Sequence, residues 1–427
     1  MQRNTLREEA LETKQSTGVS PGAWTLVGLL WLTYVINYTD RQSVFSMFPV
    51  LRRELGFTDV QLGLIGSVFI WIYSLCTPFA GRIADRFPRS WLIIASCLLW
   101  SLTMLGIASS ASVGGFLFWR SLVAVTECVY CPAALGLIGI WHRGNTRTKA
   151  IGIHCTAPPV GLAFGGWFGG WSAEHIGWRY GYRTLGMIGI VYSVFLLMTL
   201  RRYTNSPSPA PASTAAPGDI FRSRCYMAML APYFVFQLML WMLFSWLPNF
   251  VFEHYHLSLE ESGVAATLYL QAGTIVGVLA GGVLGDRLGK QFPFSRFIIV
   301  ALGLLLSCPV GYAILAVQSV VALKISACAY GIFVGLLIAN SWAASFDVVD
   351  ERNYSFAAAF MTLTSGVAAG VGVLLAGIWK ESFVSLMGWA AILGAVSALA
   401  LIWVTAASFD QDLHRLRRFE NRLTNKA

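Results

Sequence analysis

Twelve stretches of about 20 mostly apolar residues run through this 427-residue chain, and that is the length needed to cross a bilayer as a helix. Inside lipid every backbone N–H and C=O must find an internal partner, so each stretch is predicted to be a helix. The first six cover residues 23–50, 59–80, 91–110, 114–140, 149–173 and 182–200. The second six cover 225–252, 260–284, 294–316, 319–345, 354–378 and 383–407. Only 12% of the residues are charged, against about 25% in soluble domains. No polar region is long enough to bury a core of its own. The predicted class is therefore an all-α, multi-pass membrane protein with twelve spanning helices.

Basic residues set the orientation. Twenty-two of the thirty Lys and Arg fall on one side of this layout, in the loops after even-numbered segments and at the two ends. Six fall on the other side: Arg52, Arg53, Arg179, Arg183, Lys324 and Lys380. The richer side is cytoplasmic, so both termini are predicted there. This also accounts for the net charge of +9 without nucleic acid, for which the chain has no basic face.

The stretch 203–219 contains four prolines and no apolar run, which reads as a linker. The expected organisation is an N-terminal segment 1–22, a six-helix bundle 23–202, a linker 203–221, a second bundle 222–407 and a tail 408–427. The first 22 residues lack the apolar run of a signal peptide, so the first hydrophobic segment is expected to stay as an anchor. The bundles repeat one another. Gly81-x-x-x-Asp85-Arg86 follows the second segment, and Gly282-x-x-x-Asp286-Arg287 follows the eighth. Such a repeat points to two related halves with a binding site between them.

Four ionisable residues, Asp40, Arg41, Arg120 and Glu127, sit inside apolar stretches. A charge at the centre of a membrane helix costs roughly 2.5–3.5 kcal/mol on insertion scales, and such residues usually mark an ion or substrate pathway. Arg120 and Glu127 are seven apart, which puts them within about 20° of one helix face and roughly 10 Å apart along the axis. Asp40 and Arg120 are expected at similar depth. Desolvation favours the neutral form of a carboxylate, and a neighbouring Arg opposes that. An anion that claims the Arg removes the opposition, so proton binding and anion binding become coupled. On this reading Arg41 and Arg120 hold an anion while Asp40 and Glu127 carry protons. A purely structural ion-pair network is the competing reading.

The motifs together resemble the major facilitator superfamily over the whole chain. The most specific element is the doubled G-x-x-x-D-R-x-G-[RK] loop; the second copy keeps Gly289 and Lys290, whereas the first has Pro88 and Ser90 at the matching places. Within the superfamily the chain looks like the anion:cation symporter family. It has Asn37-Tyr38-Thr39-Asp40-Arg41 for N-Y-x-D-R and Arg120…Glu127 for R-x6-E. Pro132, Trp141, Arg147 and Ala150 follow at matching offsets, then Gly177-Trp178-Arg179. The Spinster lipid transporters share the D-R and R…E elements. The resemblance implies proton-driven uptake of small organic anions such as sugar acids, with a Spinster-like lysolipid or amphiphile exporter as the second reading.

Asp85, Arg86, Asp286 and Arg287 lie at cytoplasmic helix ends and are expected to gate one access state. The second half has almost no buried charge and offers polar and aromatic groups instead, among them Gln237, Trp241 and Asn340. Together with Tyr38 these are candidate substrate contacts. His154, alone on the fifth segment, is a candidate proton relay or a packing residue. Cys128 and Cys131 read as free thiols in an apolar helix, where redox or metal chemistry is disfavoured. No H-E-x-x-H, G-x-S-x-G or nucleotide loop is present, so an enzyme and an ATP-driven pump are both disfavoured. No cofactor or metal is expected. The predicted partners are a small organic anion, protons and the lipid bilayer, for a monomer. Short loops and outer loops free of glycosylation sequons suit a bacterial inner membrane.

Overall fold

The computed structural model describes residues 21–142, 145–203 and 217–424, and every regular element among them is helical. Expectations for the first twenty residues and for most of the linker lie outside the described residues. Ten helical stretches among those described are long and apolar enough to cross a membrane. Two further long helical stretches fall short in apolarity: α1 (Pro21–Ser46), and α7 (Asn145–His154) continuing into α8 (Ala157–His175). The reason is where their polar and small residues go. Helix α1 buries Asn37, Thr39, Asp40, Arg41, Gln42 and Ser43 against other helices, and α8 is rich in glycine. Helices covered by protein do not need to be apolar all round.

Three predicted segments are broken, each beside a proline. The first becomes α1 and the short α2 (Phe48–Leu55), which has Pro49 in its first turn. The fourth becomes α5 (Val113–Glu127) and α6 (Tyr130–Trp141). Pro132 has no N–H to offer the carbonyl four residues back, so the helix resets around Cys128 and Val129. Pro158 and Pro159 do the same to the fifth segment, separating α7 from α8.

The remaining helices are α3 (Asp59–Arg86), α4 (Arg89–Ala108), α9 (Trp178–Leu200), α10 (Arg224–Tyr255), α11 (Leu259–Gly289), α12 (Ser295–Ala316), α13 (Val320–Asp347), α14 (Tyr354–Ile378) and α15 (Phe383–Thr424). The last runs well past the predicted end at 407. Its extension is tied down by Asp412, which accepts from Ser223 Oγ at 3.0 Å and the Cys225 N–H at 2.9 Å at the start of α10.

The internal repeat extends beyond the loop motif. Gly56 ends α2 with φ +69°, and His256 ends α10 with φ +54°, the left-handed turn that closes a helix. Two residues later, Thr58 with Gln61 and Ser258 with Glu261 form capping boxes that start α3 and α11. Equivalent stop and start signals thus stand 200 residues apart in the two halves.

The halves meet along two seams. Helix α3 packs on α14, where Ser67 Oγ donates to the Gly370 carbonyl at 2.7 Å. Helix α8 packs on α11, where Gly166 and Gly170 let the backbones approach. A Cβ at Gly170 would lie 2.1 Å from the Leu259 carbonyl oxygen. The other glycine row of α8, Gly161, Gly165 and Gly169, presses on α1 within its own half. Gly170→Leu is therefore expected to wedge the second seam apart at a cost of about 1–3 kcal/mol. Cross-linking between cysteines placed on α8 and α11 should slow markedly; an unchanged rate would show that the seam absorbs the side chain.

Both seams belong to the side away from the termini. There the buried core runs without interruption from Val44, Phe45 and Phe48 of the first half into Trp246 and Val251 of the second. Toward the termini the first half has a separate core of its own, built from Leu26, Leu30, Ile93, Trp100, Tyr130 and Leu137. The two halves are thus packed together on the side away from the termini, while toward the termini the first half keeps a core of its own.

Candidate functional site

The four charges of the first half come together where α1 meets α5. Arg41 Nε donates to Glu127 Oε2 at 2.8 Å, with side-chain exposures of 6% and 0%. Arg120 Nη2 donates to the Arg41 carbonyl at 3.2 Å, and its guanidinium lies 4.4 Å above the Phe69 ring. Asp40 is buried with neither carboxylate oxygen bonded. Asn37, one turn earlier, is also buried with both amide atoms unbonded. Adjacent positions 40 and 41 point to different neighbours because successive helix positions are about 100° apart.

The two arginines occupy different settings. Arg41 is ringed by aromatic faces: Tyr73 at 4.2 Å, Tyr38 at 4.7 Å and Phe69 at 5.1 Å. Such faces partly replace water around a cation. Tyr38 and Tyr73 remain partly exposed, so this end of the cluster borders open space. Arg120 is fully buried, with Nε and Nη1 unbonded. The expectation that both arginines face one guest thus meets an arrangement in which Arg120 stands behind the α1 backbone. Tyr73 was missed in the sequence because one tyrosine on an apolar helix carries no signal of its own.

Above the cluster the space is roofed. Gln42, next to Arg41, donates through Nε2 to the Phe244 carbonyl of the second half at 2.8 Å. Gln237 and Trp241 lie on the same helix, α10, and are half-buried; Gln237 donates to Ser365 Oγ. Asn340 is held elsewhere. Its Nδ2 donates to the carbonyls of Gly281 at 2.9 Å and Leu336 at 3.0 Å, which binds α13 to α11. The amide is committed to helix packing because Gly281 lets the two backbones approach.

At the cytoplasmic ends the acidic residues pair inside their own halves. Asp85 accepts from Arg89 at 3.1 Å. Asp286 accepts from Arg296 at 3.2 Å, and Arg296 also holds Asp347 at 2.9 Å. Arg86 and Arg287 are exposed and form no ion pair among the described residues. The charges that do cross between halves lie outside, on Arg52 and Lys380, read from the sequence only as topological markers, and on Asp59 and Glu253, which the sequence did not single out. Arg52 pairs with Asp59 of its own half and with Glu253 of the other at 2.8 Å. Lys380 pairs with Glu253 at 2.8 Å and approaches Asp59 at 3.8 Å.

A second concavity opens sideways between α8 and α11. It measures about 510 Å³ and is lined by Pro159, Ala163, Phe164, Trp167, Leu268 and Gln271, among others. Gln271 is its polar member.

Comparison with known proteins gives the family and a choice of relatives. A sequence model of the Major Facilitator Superfamily matches residues 30–323 and 233–423. The hexuronate transporter of Bacillus subtilis is 24% identical over 88% of this chain and 92% of its own length. Protein spinster of Drosophila melanogaster is 28% identical over 85% of this chain, which spans only 62% of that relative. Among solved structures, a bacterial homolog of the human lysosomal transporter Spinster, inward-facing and occupied, superposes with a TM-score of 0.80 at 18% identity. That likeness covers 92% of this chain and 99% of the other, and it speaks to the fold.

Proposed function

The chain belongs to the major facilitator superfamily, and from that premise we propose a proton-coupled symporter of a small organic anion, a sugar acid or similar carboxylate, working by alternating access between its two six-helix halves. One observation carries the reading: a buried Arg41–Glu127 ion pair beside a carboxylate, Asp40, that has no partner. An unpaired buried carboxylate is far cheaper to keep neutral than charged. Asp40 therefore holds a proton in this conformation, while Glu127 is anionic against Arg41.

The coupling step follows from competition for one guanidinium. A carboxylate guest entering from the cleft meets Arg41, whose planar fork suits two oxygens. Tyr38 and Tyr73 flank that position and supply ring faces, and Gln237 and Trp241 of α10 are assigned the hydroxyl contacts of the guest on the other half. As the guest takes Arg41, Glu127 loses its counter-charge and a proton adds to one of its oxygens. The site then carries no net new charge, which is what permits it to move between access states in low dielectric. Arg120, behind the α1 backbone, balances Asp40 when that proton leaves. Asp85, Arg86, Asp286 and Arg287 form the cytoplasmic gate when the cleft closes on that side, exchanging their present partners for partners in the other half.

A second reading has its own observation. The sideways groove at α8 and α11 would suit an acyl chain, with Gln271 available to a polar group. That favours a proton-driven lysolipid or amphiphile exporter.

Uptake into proteoliposomes under an imposed pH gradient separates the readings. Accumulation of D-glucuronate that collapses with a protonophore is the expected result. Flux of a lysophospholipid with no flux of sugar acids would replace the symporter by the exporter.

A further inference from the structure

His154 is fully buried, and neither ring nitrogen has a hydrogen-bond partner. A neutral imidazole always has one N–H to donate and one lone pair to fill. Leaving both empty inside a membrane protein costs free energy that a merely packed residue such as Phe would avoid. The ring sits at the last position of α7, against the break that the paired prolines impose. It stacks on Tyr34 at 4.8 Å and 8°, and lies 6.1 Å from Tyr130.

These rings continue to the charge cluster. Tyr34 meets Tyr38 edge-on at 5.0 Å, and Tyr38 lies 4.7 Å beneath the Arg41 guanidinium. Helix α7 begins at the cytoplasmic loop, so His154 stands on the cytoplasmic side of the Arg41–Glu127 pair. The titratable groups facing it are few. From α1 they are Tyr34 and, behind it, Tyr38; from α6 they are Tyr130 and Cys131, whose sulfur takes the Tyr34 hydroxyl at 3.7 Å. On its own strand of chain the neighbour is Cys155. None of these is an acid or a permanent cation, so charge on the imidazole answers only to proton supply and to the cluster beyond Tyr38.

We infer that His154 is the inner proton-binding station of the path, charged when the carboxylates discharge toward the cytoplasm and neutral, as here, once the proton has left. An O–H bond breaks at a carboxyl, the proton crosses on water because stacked ring faces carry none, an N–H bond forms at the imidazole, and the same N–H then gives its proton to cytoplasmic water. No other reactant is needed. The break at Cys155 and Thr156 provides backbone freedom for the ring to leave its stack. This rests on the proton-coupled reading above.

The test has two parts. In purified protein with labelled histidine, the ring signal missing from His154→Phe should shift as pH falls from about 8 to about 5, the range in which imidazoles charge. Its midpoint should move to lower pH in Glu127→Gln, where Arg41 stands uncompensated. A ring that never charges, or a midpoint that ignores Glu127, overturns the inference without reference to any substrate. In proteoliposomes, His154→Phe keeps the stack and should keep D-glucuronate exchange at equal pH while losing about tenfold in pH-driven accumulation. Equal losses in both assays would mark His154 as packing only. Wild-type protein with no pH-driven flux would sink the symport reading itself, and the ring titration would still be readable.

Discussion

Glu127→Gln protein is expected to lose about a hundredfold in pH-driven accumulation of D-glucuronate while retaining exchange of the same acid at equal pH. The size follows from the gradient. Uncoupling one proton forfeits the pH gradient as a driving force, and an imposed gradient of about two pH units is worth about 2.7 kcal/mol, a factor of about a hundred in accumulation. The split between the two assays follows from the chemistry. A glutamine oxygen still accepts from Arg41 Nε, so the helices stay in register, but it cannot take a proton. Arg41 then meets the guest with no internal competitor, and guest binding no longer drives protonation. Asp40→Asn should show the same split. Unchanged pH-driven accumulation in both variants would remove the carboxylates from the coupling mechanism.

Loss of function alone does not distinguish coupling from scaffolding, since a static network also fails when one partner goes. The double variant Arg41→Met with Glu127→Gln does. A buried ion pair replaced by neutral groups of similar volume is often neutral for stability. If the pair only orients α1 against α5, the double variant should recover both thermal stability and transport. If the pair couples proton to anion, stability should return and pH-driven transport should not. Melting temperature and uptake measured on the same preparation give the answer.

The helical architecture was legible in the sequence because bilayer thickness fixes helix length. The convergence of Asp40, Arg41, Arg120 and Glu127 was legible because a seven-residue spacing keeps one helix face. What those residues touch was not. Helical geometry gives a direction but not the neighbour that fills it, so Arg120's place behind the α1 backbone could not be foreseen. Asn340 shows the same limit. A buried amide can serve a guest or a neighbouring backbone, and the choice depends on Gly281, a residue 59 positions away that lets α11 come close. The outer charges were the reverse case. Arg52, Asp59, Glu253 and Lys380 lie near helix ends, where charges are ordinary, and only the pairing of the two halves makes them a set.

That set should control which side of the protein is open. Arg52, Asp59, Glu253 and Lys380 retain side-chain exposures between 18% and 35%, so each contact is worth the modest amount of a partly exposed pair, about 0.2–1 kcal/mol. The contacts share atoms, however, and two of them, Arg52–Glu253 and Lys380–Asp59, exist only while the outer faces of the halves touch. The sum of these two, on the order of 0.5–2 kcal/mol, therefore acts on the access equilibrium rather than on each half, and shifts it by about 2- to 30-fold. Glu253→Gln removes one of the two carboxylates shared by Arg52 and Lys380, leaving Asp59 alone between two cations at the seam. Outward-facing protein should rise about two- to fivefold, read as faster reaction of an impermeant maleimide with a cysteine at Phe244, beneath the roof made with Gln42. Arg53→Gln, one position along α2 and exposed, should leave that rate alone. High salt should imitate Glu253→Gln in part, because partly exposed pairs are screened. If Glu253→Gln lowers the melting temperature and leaves the labelling rate untouched, the outer charges stabilise the halves without governing access, and the closing force on that side must come from the glycine-lined seam of α8 and α11.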